Sequence, residues 1–89
     1  MNITNLSNWT VYIIRCDDET LYTGITTDLS RRFGEHCSHS RGAKFFNGRT
    51  PREVVYTETC HTRNSASRRE AAIKKLSREE KLRLIEDTE

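Results

Sequence analysis

The 89-residue sequence has no long run of hydrophobic residues and no closely paired cysteines. No apolar stretch approaches the ~18 residues that a membrane-spanning helix needs, and Met1 to Asn8 is too polar for a signal peptide. The three cysteines, Cys16, Cys37 and Cys60, form no CxxC pair, which argues against a disulfide scaffold and fits a reducing compartment. We therefore expect a cytoplasmic protein that works without a membrane.

The chain also has little room for a deep cavity. A chain of this length buries only ~60–65% of its unfolded surface, which allows one small core and one shallow site. We expect a single domain over residues 1–89, with its core at about 9–85, and no organic cofactor. Histidines near Cys37 and Cys60 raise a zinc-binding module as an alternative, although the ligands are scattered rather than paired.

The net charge of +2 is small, but the basic residues fall into two blocks. Residues 31–52 carry six basic side chains and one acidic side chain, a net charge of +5, and residues 63–78 have the same balance. Two such blocks can converge on one phosphate-binding face, or they can be two solvated helices. Charge alone leaves both interpretations open.

Hydrophobic periodicity predicts the element order β-β-α-β-α-α. The predicted strands are Val11 to Cys16, Thr20 to Thr26 and Glu53 to Thr59. The predicted helices run from a cap at Thr27 or Asp28 to about Cys37, from a cap at Asn64 or Ser65 to about Leu76, and from a capping box at Ser77 through Ile85, with a loop over Ser38 to Arg52. The fold class is therefore α+β, a small three-stranded antiparallel sheet flanked by about three helices.

The first two predicted strands place two tyrosines together. If they pair around the turn at residues 17–19, Tyr12 faces Gly24 and Ile14 faces Tyr22, so both tyrosines point to one face of the sheet. Gly24 leaves space across from Tyr12, where another backbone or a substrate can approach. Two ordinary strand tyrosines and a bulge glycine explain the same pattern.

The helices add three polar candidates. Arg32 and His36 are four residues apart and share one helix face, where Arg32 can neutralise a phosphate and His36 can transfer a proton or donate a hydrogen bond. Glu70 lies between Ala66 and Ile73 on the apolar side of its helix, so its carboxylate needs a cation, a metal or strong hydrogen bonds. One Mg²⁺ or Mn²⁺ suits a carboxylate ligand, and an ion pair with an arginine such as Arg32 is equally consistent.

Together these residues resemble the sequence motifs of the GIY-YIG nuclease superfamily. Thr10-Val11-Tyr12, nine further residues and then Tyr22-Thr23-Gly24 are similar to the paired motif of that superfamily. Arg32 and His36 follow at the spacing of its helical arginine and histidine. The segment from Arg69 to Leu76 resembles the one that holds its metal-binding glutamate.

The likeness covers about Trp9 to Ile85 and is greatest to small stand-alone bacterial YhbQ-like proteins, through Tyr22 to Leu29, Gly42 to Lys44 and Arg69 to Leu76. Two departures stand out. The first motif keeps only its tyrosine and lacks the glycine and isoleucine, and the second has threonine for isoleucine. Some relatives place a lysine where Ile25 stands here.

The resemblance implies hydrolysis of DNA phosphodiester bonds with one Mg²⁺ or Mn²⁺ bound by Glu70. Tyr12 is the first choice to orient or deprotonate the attacking water, although the choice between Tyr12 and Tyr22 stays open. Arg32 stabilises charge on the phosphoryl oxygens, and His36 assists the tyrosines. For contacts with DNA phosphates we predict Arg31, Arg41, Lys44, Arg49 and Arg69.

A bare module of this kind is expected to bind mainly phosphates and to have little sequence specificity. It then prefers single-stranded or branched DNA in repair or recombination, or depends on a partner protein for targeting. The alternative is a catalytically weak DNA-binding adaptor that works with such a partner. Together, Tyr12, Tyr22, Arg32, His36 and Glu70 favour the enzyme, because a decayed site should have gaps.

Overall fold

The computed structural model describes residues 7–38 and 48–87 and has the predicted order of elements. The elements are β1 (Trp9–Cys16), β2 (Leu21–Thr26), α1 (Leu29–Ser38), β3 (Pro51–His61), α2 (Arg63–Lys74) and α3 (Arg78–Asp87). The α+β class with three strands and three helices is therefore confirmed. Within these described ranges, no helix has both the length and the apolar character to cross a membrane.

The sheet has the strand order β2-β1-β3, and both strand pairs are antiparallel. Its register confirms the predicted hairpin, because Tyr12 is opposite Gly24 and Ile14 is opposite Tyr22. The central strand β1 is flanked by a strand on each edge and by helices on both faces. Ile13 and Ile14, which point to opposite faces, are consequently both fully buried.

The third strand is longer than predicted at both ends. It begins at Pro51, which the sequence placed in a loop; proline fits here because β3 is an edge strand and Pro51 is its first residue. Near its end, Cys60 has a φ of 64°, and the pairing with β1 shifts register there. Such an extra residue is a bulge, which a simple alternation pattern does not reveal.

The cap of α2 was also predicted at the wrong residue. The N-cap is Thr62 rather than Asn64 or Ser65, and its hydroxyl accepts a hydrogen bond from the backbone N–H of Ser65 at 3.0 Å. The Ser65 hydroxyl accepts one in return from the Thr62 backbone N–H at 3.0 Å. Serine is a common N-cap residue, but Ser65 occupies the third helical position of this capping box, and the N-cap itself is Thr62.

The core divides into two faces of the sheet. The aliphatic face is covered by α2 and α3, and its buried residues are Val11, Ile13, Tyr56, Ala66 and Ile73. The tyrosine face is covered by α1 and comprises Tyr12, Ile14 and Cys16 with Tyr22, Leu29, Phe33 and Val54 packed against them. The alternation of β1 thus separates a hydrophobic side from a side that carries polar rings.

Candidate active site

The two tyrosines of the hairpin lie side by side on the tyrosine face. Their ring centroids are 6.3 Å apart, and Tyr12 is only 1% exposed, whereas Tyr22 is half-buried. A Cβ atom added at Gly24 would lie 2.5 Å from the Tyr12 hydroxyl oxygen. The space predicted at Gly24 is therefore not open to a substrate, because the ring of Tyr12 itself fills it. Glycine is required there for this close approach.

Helix α1 adds a histidine to the tyrosines. The helix begins after Asp28, one of the two predicted caps, whose side chain accepts a hydrogen bond from the backbone N–H of Arg31 at 3.1 Å. Its last turn carries His36, which is fully buried, with its Nε2 atom 3.1 Å from the Tyr12 hydroxyl oxygen. The rings of His36 and Tyr22 meet edge to face at 5.4 Å. Tyr12, Tyr22 and His36 form one aromatic cluster.

Burial changes the proton affinity of this cluster. It lowers the pKa of His36 to about 4, and the positive charge of Arg32 acts in the same direction. It raises the pKa of Tyr12 to about 12; the neighbouring Tyr22 adds to this shift and Arg32 opposes it. At neutral pH the bond therefore joins a neutral imidazole to a protonated phenol.

Arg32 supplies positive charge beside the cluster. Its Nη1 atom lies 2.9 Å from a carboxylate oxygen of Glu35, and its guanidinium is within hydrogen-bonding reach of the Tyr12 hydroxyl. The preceding residue, Arg31, is 60% exposed in its side chain and pairs with Glu35 at 3.4 Å. Glu35 holds both arginines on α1, where they remain accessible to an anion.

Helix α2 places Glu70 at the same site. Its side chain is 24% exposed, and its negative charge contributes to the raised pKa of Tyr12. The Oε2 atom lies 3.2 Å from the Nζ atom of Lys74, whose Nζ is 6.0 Å from the centroid of the Tyr22 ring. The partner of Glu70 is thus Lys74 and not an arginine such as Arg32, which pairs with Glu35. The spacing of Lys74, four residues from Glu70, was the available signal.

The structure thus brings Tyr12, Tyr22, Arg32 and His36 together, and Glu70 lies close enough for its charge to affect Tyr12. Two of the residues predicted to contact DNA pair with acidic side chains instead. Arg49 bonds Asp18 at 3.0 Å, and the Nε atom of Arg69 donates to both carboxylate oxygens of Glu58, at 2.9 and 3.1 Å. The second contact ties α2 to β3. Arg41 and Lys44 lie outside the described residues, and DNA contact by any of these side chains stays a prediction.

The donor set of the site fits one hard divalent cation. Among the residues that the structure describes, no three His, Cys, Asp or Glu side chains are grouped closely enough to form a metal cage. Mg²⁺ commonly takes one or two carboxylates and completes its shell with water and phosphate oxygens. Glu70 can provide that carboxylate, whose present positively charged partner is the ammonium of Lys74.

Comparisons with known proteins identify the family of this chain. The family model of the GIY-YIG catalytic domain matches residues 8–83. A UPF0213 protein of Desulfotalea psychrophila is 49% identical over 97% of this chain and 78% of its own length. A UPF0213 protein of Natronomonas pharaonis is 51% identical over 86% of this chain and 89% of its own length.

A solved structure is similar as well. It is the solution NMR structure of a UPF0213 protein from Bacillus halodurans, which is 41% identical and matches with a TM-score of 0.56. The match covers 88% of this chain and 82% of the other. The family-model match over most of the chain and relatives that are 41–51% identical show that the chain belongs to the GIY-YIG nuclease superfamily and, within it, to the UPF0213 family.

Proposed function

We propose that this protein is an endonuclease that hydrolyses DNA phosphodiester bonds with one Mg²⁺ or Mn²⁺ bound by Glu70. The observation that carries the proposal is convergence: Tyr12 of β1, Tyr22 of β2 and His36 of α1 form one cluster, and Arg32 of α1 lies beside it. Glu70 of α2 lies close enough for its negative charge to help raise the pKa of Tyr12. In a chance surface cluster, we would expect neither a fully buried histidine nor a glycine that is needed to make room for a buried tyrosine ring. Perturbed pKa values of this kind concentrate at functional sites.

Glu70 is the ligand that this chain offers to the metal. When bound, the ion supplies positive charge to the scissile phosphate and to the leaving oxygen. Glu70 is partly exposed and, like the half-buried Tyr22, contacts Lys74, so a phosphate can approach both from solvent. Arg32 adds the second positive charge and stabilises the phosphoryl oxygens as charge develops on them.

We assign the contact with the attacking water to Tyr22 and a positioning role to Tyr12. Burial is the reason, since Tyr22 is half-buried and Tyr12 is almost completely so. A phenol with a pKa raised to about 12 keeps its proton and is a poor base. In its bond with His36, Tyr12 instead holds the imidazole edge-on to Tyr22. This reverses the order of preference that the sequence suggested.

For the substrate we propose single-stranded or branched DNA, cut with little sequence preference. Exposed arginines such as Arg31 are suited to phosphates, which carry no sequence information. A flexible strand can lower a phosphate into a recessed site more easily than a rigid duplex can. A targeting partner remains the other source of specificity.

Cleavage assays with a matched variant test the proposal. Supercoiled plasmid, single-stranded DNA and branched DNA are incubated with Mn²⁺, Mg²⁺ or chelator and with wild type, Glu70→Gln or Glu86→Gln. We expect metal-dependent cutting that falls at least about a hundredfold in Glu70→Gln, because the ion loses its protein ligand. Glu86, an exposed carboxylate of α3, is the control and its variant should cut like wild type.

Two outcomes contradict the proposal. Equal cutting by all three proteins would indicate a contaminating nuclease. Absence of cutting by every protein, with salt-sensitive DNA binding intact, would replace the enzyme with the adaptor.

A further inference from the structure

Lys74 is the basic residue of the site that has no role in the proposed chemistry. It lies on the last turn of α2 and contacts two of the proposed functional residues, the Glu70 carboxylate at 3.2 Å and the face of the Tyr22 ring at 6.0 Å from its centroid. Its side chain is 52% exposed. The adjacent Lys75 is also exposed, and no ion pair or ring contact of its side chain occurs within the described residues. The two lysines thus form a natural matched pair.

The contact with Glu70 conflicts with metal binding. A Mg²⁺ ion coordinates carboxylate oxygen at ~2.0–2.1 Å. An ammonium held 3.2 Å from the same carboxylate would then face a doubly charged cation at close range. One of the two cations has to move, and the lysine can do so because its ammonium sits on a flexible four-carbon stem.

We propose that Lys74 neutralises Glu70 in the metal-free protein and turns to a phosphate oxygen of the bound DNA when the metal takes Glu70. The inference rests on the proposed function, since it assumes a metal at Glu70 and DNA as the ligand. Attraction to the Tyr22 ring keeps the displaced ammonium near the site. Because the bound phosphate provides a new partner for the displaced charge, DNA and metal strengthen each other's binding through Lys74.

A different result is expected if Lys74 and Glu70 form only a structural ion pair on the surface of α2. Lysines and glutamates four residues apart are common on helices and stabilise them only weakly. Such a pair would leave the effect of DNA on metal affinity unchanged when the lysine is removed. The difference between the two models is therefore the coupling between two ligands rather than the stability of the helix.

Titration of Mn²⁺, followed by the electron paramagnetic resonance signal of the free ion, measures this coupling. Wild type, Lys74→Met and Lys75→Met are titrated alone and with a nuclease-resistant phosphorothioate oligonucleotide. In Lys74→Met without DNA we expect Mn²⁺ to bind about three- to tenfold more tightly, because a competing charge is gone. The DNA should strengthen Mn²⁺ binding less in this variant than in wild type, while Lys75→Met should behave like wild type.

The salt dependence of DNA binding in Mn²⁺ gives a second readout. Loss of one phosphate contact in Lys74→Met should reduce the slope of log affinity against log salt by about one. Thermal unfolding checks that both variants fold, which their exposed positions favour.

The outcomes separate the inference from the proposed function. If wild type binds Mn²⁺ and Lys74→Met has the same affinity and the same response to DNA, the inference is wrong and the nuclease proposal stands. Weaker Mn²⁺ binding in Lys74→Met also overturns it, because Lys74 would then support the metal rather than compete with it. If wild type binds no Mn²⁺ with or without DNA, both proposals fail.

Discussion

The two faces of the sheet share one central strand but differ in chemistry. On the aliphatic face, Val11, Ile13 and Ile73 are fully buried among other apolar side chains. On the tyrosine face, the equally buried Tyr12 and His36 bring a hydroxyl and an imidazole into the interior. Buried polar groups destabilise a fold unless they are hydrogen-bonded, and these two bond to each other. The aliphatic face is therefore held by apolar packing, whereas the tyrosine face depends on a hydrogen bond between two buried polar rings.

Two buried tyrosines make the same comparison at the level of single residues. The hydroxyl of Tyr56, on the aliphatic side, donates to Glu58, and that carboxylate also receives hydrogen bonds from Arg69 and His61. This network saturates its acceptor and joins β3 to α2. Tyr12, by contrast, bonds to a histidine and lies against Gly24 and the half-buried Tyr22. Under the proposed function, the partner of a tyrosine, rather than its burial, separates a structural role from a functional one.

The largest effects are expected from one substitution on each face of the sheet, compared for stability and for cleavage. Ile13→Ala should lower the free energy of unfolding by about 2–5 kcal/mol, because it opens a cavity in a closed core. Tyr12→Phe should lower it by no more than about 1–2 kcal/mol, because it removes the polar contacts of the hydroxyl with His36 and Arg32 but opens no large cavity. Urea denaturation measures both. Cleavage per folded molecule should show the reverse order, with the larger loss in Tyr12→Phe.

Equal cleavage by wild type and Tyr12→Phe, after correction for the folded fraction, would contradict a functional role for the Tyr12 hydroxyl. The tyrosine face would then be an ordinary core that happens to contain polar rings.

A pH titration of stability sharpens the comparison at His36. The folded-state pKa of about 4 lies below the ordinary value of 6.5, so the unfolded chain binds the proton more readily between these values. This contribution to stability is complete above pH 6.5 and is lost progressively as the pH falls toward 4, up to about 3 kcal/mol in total. Unfolding by urea from pH 7 to pH 4 should therefore show a steeper loss in wild type than in His36→Gln.

Acidic groups elsewhere, such as Glu58, lose their own contributions in acid in both proteins, which is why the difference between the two curves is the measurement. Parallel curves would mean that His36 is as easily protonated in the folded protein as in the unfolded chain.

The smallest effect is expected from replacing two glycines by alanine, Gly24 in β2 and Gly34 in α1. Gly24→Ala places a Cβ atom 2.5 Å from the Tyr12 hydroxyl oxygen and 2.7 Å from its Cζ atom, which should destabilise the protein by about 1–3 kcal/mol and reduce cleavage. Gly34→Ala, on α1, meets nothing within 4 Å and should stabilise it by about 0.5–1 kcal/mol. Thermal unfolding compares the two. A tolerated Gly24→Ala would show that the Tyr12 ring does not depend on the glycine.

Much of the fold was predictable because short-range patterns are strong in this chain. The alternation along β1 and the short turn that follows it determine the register of the hairpin, and that register puts Tyr12 and Tyr22 on one face. The errors arose where long-range contacts decide. The extension of β3 to Pro51 depends on its position at the sheet edge. The cap at Thr62 depends on the continuation of the strand past the bulge at Cys60 to His61.

The sequence by itself determined which chemical groups meet: paired tyrosines across Gly24, the arginine and histidine on one helix face, and a glutamate on the inner side of α2. Only the tertiary structure decided how they differ. It buries Tyr12 and leaves Tyr22 accessible. It also determines the ion pairs, which join Glu70 to Lys74 and Arg69 to Glu58. The physical reason is that local spacing sets the direction of a side chain, whereas its burial, its pKa and its ionic partner depend on what the remaining elements place around it.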